Sequence, residues 1–130
     1  EGPSASTAIS KPHLPLPAKY QLLLRVLSAV DGVTGCISGG RSARPVWAKL
    51  ATSIAAVTGR TVTTSHLDLI DAFLPGAYRR EECRVVHQGK RIKSFYIELP
   101  MDGVVGQEEL QARKDQLHAS LLSHVEAEHR

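Results

Sequence analysis

The stretch that decides the fold is T-S-H-L-D-L-I-D-A-F-L-P-G-A-Y (Thr64–Tyr78), followed after a charged joint by C-R-V-V-H-Q-G-K-R-I-K-S-F-Y-I-E-L (Cys83–Leu99). The first half reads as a short helix. Leu67, Ile70, Phe73 and Leu74 fall on one face at helical spacing. Ser65 is the expected N-cap, with Asp68 three residues on as the acid of a capping box. Pro75-Gly76 is the expected stop. The second half alternates Phe95, Ile97 and Leu99 with Tyr96 and Glu98, and Gln88-Gly89 supplies a turn, so it reads as a hairpin over Cys83–Leu99. A helix followed directly by a hairpin, with two helices upstream, is the order of a winged helix. The expected class is therefore α+β, mostly helical: a three-helix core with a β-hairpin wing and a long C-terminal helix.

Working outward, Glu1–His13 is rich in Ser, Ala and Pro and lacks periodicity, so residues 1–13 read as a disordered tail and 14–130 as one domain. Leu14-Pro15-Leu16-Pro17 sets an extended lead-in, because a residue before proline is pushed out of the helical region. A first helix is expected from Pro17 to Val30, with Asp31-Gly32 ending it. It carries two apolar stripes, Tyr20, Leu23, Leu24, Leu27 and Val30 on one side and Leu22, Val26 and Ala29 on another. A surface helix shows one stripe, so this helix must be covered on two sides, by the last helix of the same chain or by a partner. Gly35–Arg44 reads as a connector. Its Gly39-Gly40 pair is not followed by the Lys-Ser/Thr of a phosphate loop. A second helix runs from Pro45 to Thr58, closed by Gly59, with Val46, Leu50, Ile54 and Val57 as its stripe. Arg60–Thr63 is expected to form the small third strand of the wing. The last helix, Glu108–Glu128, carries the thin seam Leu110, Leu117, Leu121 and Val125 among many charges.

Composition bounds the chemistry. The net charge is +3 and only 5% of residues are aromatic, while 42% are hydrophobic. That permits contact with nucleic acid without arguing for it. No apolar run approaches the ~20 residues of a membrane span. Cys36 and Cys83 are far apart and belong to no Cys/His cluster, which fits a reducing compartment. The histidines are scattered, with no HExxH and no GxSxG, so no catalytic residues, metal ligands or cofactor are expected. The exposed face of the Ser65–Leu74 helix would present His66, Asp68 and Asp71, and carboxylates are repelled from a phosphate-lined groove. The hairpin tip is different. Lys90, Arg91 and Lys93 cluster near Arg79, Arg80 and Arg84, and are the candidates for contact with phosphates.

Four pieces then carry a resemblance. L-P-L-P-A-K-Y-Q-L-L (Leu14–Leu23), V-W-A-K-L with T-G-R-T-V (Val46–Val62), S-H-L-D-L-I-D-A-F-L-P-G-A-Y (Ser65–Tyr78) and L-Q-A-R-K-D-Q-L-H-A-S-L-L-S-H-V-E-A-E-H (Leu110–His129) occur in one order. Together they resemble the central, geminin-binding winged-helix domain of the DNA replication licensing factor that brings the MCM helicase to origins. The resemblance implies a non-enzymatic, nuclear protein-interaction domain acting in cell-cycle-controlled origin licensing. Its implied partners are the MCM helicase complex and a geminin-like inhibitor. Carried over position by position, it implies partner contacts at Pro15, Pro17, Lys19, Tyr20 and Leu23. Ala18 stands where several animal members have an aromatic residue. The charged last helix adds Arg113, Lys114 and His124 as a second candidate surface. The alternative reading is a winged-helix DNA-binding domain contacting phosphates non-specifically through Lys90, Arg91 and Lys93.

Overall fold

A computed structural model describes residues 16–38, 44–101 and 105–129. The tail 1–13, Pro15, the Gly39-Gly40 pair and the Cys36 side chain lie outside the described residues. Among the described residues the elements run α1 (Ala18–Ser38), α2 (Trp47–Thr58), α3 (Thr64–Phe73), β1 (Arg79–His87), β2 (Lys90–Glu98) and α4 (Gln107–Glu128). The class is the expected one: α+β, mostly helical, with an antiparallel two-stranded hairpin after the third helix and a long last helix packed back on the body.

α1 is the central element. It packs against α2, α3, α4 and β2. Leu23, Val26, Leu27 and Val30 are all 1% exposed or less, so both of its stripes are enclosed by the chain itself, with only Leu22 and Leu24 half-buried. Ile54 of α2, Leu67 and Ile70 of α3, Ile97 of β2 and Leu117 and Leu121 of α4 complete the core. Each such side chain contributes about 1.5–3 kcal/mol of burial.

Several local expectations are corrected. α1 does not stop at Asp31-Gly32 but continues to Ser38. The reason is tertiary: Asp31 is buried and held by ion pairing, so the Asp-Gly signal is overridden. α3 begins one residue before Ser65, and its N-cap is Thr63. A capping box joins Thr63 to His66, whose Nδ1 accepts the Thr63 N–H at 3.0 Å. Asp68, the expected capping acid, instead accepts from Arg80 Nη1 at 3.1 Å. α3 does stop before Pro75-Gly76: Gly76 has φ 73° and its N–H donates to Asp71 Oδ1 at 3.0 Å.

The hairpin is longer than read, because Arg79–Glu82 pair with Phe95–Glu98 in unbroken register. Its turn is at Gln88-Gly89, with φ 54° and 77°. Arg60–Thr63 forms no strand. Val62 turns into the core at that junction, and the strand-like contact falls before α2, where Val46 bridges Tyr96 and the Ile97 N–H donates to Pro45 O at 3.0 Å. Val57 is 68% exposed, and Thr58 takes its place inside, its hydroxyl donating to Ile54 O at 2.9 Å.

Candidate functional site: a basic groove beside the first helix

The groove exists because α1 has a defined seat. At its inner face Asp31 is 2% exposed, Arg113 of α4 7% and Tyr78 9%. Arg113 Nε donates to Asp31 Oδ2 at 2.8 Å and its Nη2 to Asp31 Oδ1 at 3.2 Å. The same Nη2 donates to Ala77 O at 2.8 Å, and the Tyr78 hydroxyl to Asp31 Oδ1 at 2.7 Å. Burial and then the Asp31 charge push the Tyr78 hydroxyl well above the ordinary tyrosine value. Burial works against the Arg113 charge, but the hydrogen bonds and charge of Asp31 outweigh it and raise the Arg113 value. Three elements, α1, α4 and the α3–β1 connection, are thus locked through one carboxylate.

A second junction is aromatic. Tyr20, Phe73 and His124 bring α1, α3 and α4 together edge to face, with ring centroids 5.1–5.8 Å apart. Lys19 Nζ lies 4.9 Å from the Tyr20 ring centroid.

Between these seats the outer face of α1 faces a groove of about 970 Å³. Leu22, Leu24 and Ala29 of α1 and the exposed Val57 of α2 give it apolar walls. Lys19 and Arg25 of α1, Arg60 after α2 and Lys114 of α4 line it, and among the described residues no carboxylate does. The arrangement offers apolar contact framed by four cations, which suits a segment that is apolar on one side and acidic along its edges.

The expected contact residues divide accordingly. Lys19 and Lys114 line the groove. Pro17 is exposed at the start of α1. Tyr20 and Leu23 are core, at 7% and 1% exposure, and Arg113 is the buried partner of Asp31, so none of the three lines the groove. His124 is half-buried in the aromatic junction, its Nε2 3.6 Å from Glu128. Sequence reasoning missed Arg25, Arg60 and Val57. For Arg25 the signal was present, since it follows Leu22 by three residues and shares its face. Nothing local marks Arg60, which is brought in by the α2–α3 junction.

The wing forms a separate charged surface. Lys90 and Arg91 are exposed at the tip, and Lys93 pairs with Glu82 at 3.1 Å. At the base, Arg44 Nη2 donates to Glu81 and Glu98, each at 2.9 Å, and the guanidinium lies 4.1 Å from the Tyr96 ring centroid. Hydrogen bonds to Glu98 and then Glu81 raise the Arg44 value above the ordinary one. Ser94 Oγ accepts the Ala48 N–H at 3.1 Å, so the wing caps α2, whose own N-cap residue Val46 has no side-chain oxygen. Among the described residues no group of three His, Cys, Asp or Glu side chains could hold a metal ion.

A small helical α+β domain with a charged wing and a basic, apolar-walled groove beside its central helix is the class these features define. Within it, the family described as "DNA replication factor CDT1 like" matches residues 16–130, and the chain belongs to that family. The family is that of a DNA replication licensing factor, and membership supports that role for the chain. No curated protein matches the chain.

Proposed function

We propose that this domain is a docking module in origin licensing, and that the groove beside α1 is where it engages its partner in the nucleus. The partners are the MCM helicase complex and, where one exists, a geminin-like inhibitor whose occupancy of the same surface blocks helicase loading. The observation that carries the reading is the groove's composition: apolar walls from Leu22, Leu24 and Val57 within a ring of Lys19, Arg25, Arg60 and Lys114, with no acid lining it among the described residues. Pro17, exposed where α1 begins, extends the surface toward the lead-in segment. Apolar surface supplies the affinity and the cations select an acidic partner and its orientation. Tyr20, Leu23, Arg113 and His124 hold α1 and α4 in place for it.

The wing supports a second reading, phosphate contact, because Lys90 and Arg91 are exposed at its tip. Salt separates the two. Binding through phosphates falls steeply as counterions compete, whereas apolar docking does not. The expected result is that purified MCM complex remains bound to the domain from low to physiological salt, while any duplex DNA binding is lost over the same range. Loss of the MCM complex in parallel with DNA would overturn the groove as the docking site.

A further inference from the structure

The hairpin has one edge with no strand beside it. β2 is flanked by β1 on one side and by Pro45 and Val46 on the other, whereas among the described residues β1 pairs with β2 alone. α1 and α2 pack on β2. Such an edge is a template for another strand, and proteins commonly guard it with a proline, a bulge or charged side chains. β1 has no proline and no bulge, and its charges are of both signs, so a second copy can meet them with opposite charges instead of being repelled. Its register runs from Arg79 opposite Glu98 to His87 opposite Lys90 with no residue skipped, and its charges are mixed: R-R-E-E-C-R-V-V-H.

The hairpin also sets two cations against each other. Arg84 stands directly opposite Lys93, and like charges so placed are destabilising. Glu82 reaches Lys93 diagonally at 3.1 Å, which leaves Arg84 without an ion pair among the described residues. Val86, on the same face, is 60% exposed.

We propose that the outer edge of β1 is a homodimer interface, in which a second copy of this chain pairs antiparallel in the register that sets Cys83 opposite Cys83. Cys83 is the middle residue of the nine in β1, so this register uses the whole strand. It places Glu82 opposite Arg84 twice, giving each Arg84 the acid it lacks, and lays the Arg80 stem over Val86 twice. No two arginines and no two acids face each other. The neighbouring registers that keep the same sheet face fail on this test. A shift of two residues one way sets Glu82 against Glu82 and Arg80 against Arg84. The other way sets Arg84 against Arg84. The pattern is thus self-complementary about one two-fold axis, the condition for a closed dimer and not a chain of copies. The product is a four-stranded antiparallel sheet, with the α1 groove of each copy left open.

The register makes the native thiol a reporter. Residues directly opposite across antiparallel strands have Cα atoms about 4.5–5.5 Å apart, within disulfide reach. In a Cys36→Ser background, light scattering over rising concentration should give a mass approaching twice the 14.1 kDa of the monomer. Mild oxidation with diamide should then trap the dimer through Cys83. Arg84→Glu, which faces each Glu82 with a carboxylate, should abolish both signals without changing the far-ultraviolet dichroism. Combining it with Glu82→Arg restores opposite charges and should recover them. A 14.1 kDa mass even at millimolar protein overturns the proposal. So does a dimer indifferent to Arg84→Glu, since its interface would lie elsewhere.

Discussion

At the scale of single residues, Asp31 is the most consequential position. It accepts from Arg113 twice and from Tyr78 once, all inside the core. Removing one partner of a buried pair leaves the other charge unpaired, so Asp31→Ala should destabilise the domain by about 3–5 kcal/mol in denaturant unfolding. Tyr78 adds a pH dependence whose sign follows from its raised value. The folded state holds the phenol proton more tightly than the unfolded chain, so this contribution is complete below the unfolded value of about 10 and is lost as pH rises beyond it. Alkaline unfolding above about pH 10 should therefore be shallower in Tyr78→Phe than in the native protein, and an unchanged slope would remove Tyr78 from the cause. Thr34 is a smaller case. Its hydroxyl is buried with no hydrogen-bond partner among the described residues, so Thr34→Val should be neutral or stabilising by up to about 1 kcal/mol. The sequence carried a clue to the buried pair. Arg113, Leu117, Leu121 and Val125 recur every four residues, which places Arg113 on the inward seam of α4. An arginine inside requires an acid, and Asp31 continues the buried face of α1. Chemical type pointed both residues to solvent, and only their pairing across 82 positions reverses that.

At the scale of elements, periodicity located every helix and the hairpin, and the boundaries went astray where tertiary contacts outvoted local signals. Gly32 shows this well. Its Asp-Gly setting signals a stop, yet it lies exposed within α1, and a Cβ there would meet nothing within 4 Å. Gly32→Ala should stabilise the domain by about 0.5–1 kcal/mol, measured as a rise in the unfolding midpoint at constant denaturant slope. Ser94 makes the converse point. No pattern within α2 reveals that its cap is supplied from β2, 46 residues away. Ser94→Ala should cost about 1 kcal/mol, the usual worth of an N-cap, and loosen the wing against α2. Arg60–Thr63 is β-prone and signals the wing's third strand after α2. The contact lies instead at Val46, where Pro45 offers a carbonyl to Ile97.

At the scale of the whole molecule, the groove is an assembly of surfaces no single segment contains. α1 supplies Lys19, Leu22 and Arg25, α2 and its exit supply Val57 and Arg60, and α4 supplies Lys114. The sequence showed that α1 had too much apolar surface for a helix covered on one side, but the fold covers Val26 and Ala29 with its own chain and leaves Leu22 and Leu24 half-buried. Tyr20 and Leu23 are core, and their outward neighbours on α1 line the groove. The most direct measurement is the affinity of purified MCM complex for three forms of the domain in parallel: native, Arg25→Glu with Lys114→Glu, and Lys90→Glu with Arg91→Glu. All four positions are exposed, so each variant should unfold at the native temperature. The account predicts that the groove variant binds at least about tenfold more weakly, about 1.4 kcal/mol, while the wing variant binds as the native protein does. Native affinity in the groove variant with loss in the wing variant would contradict it.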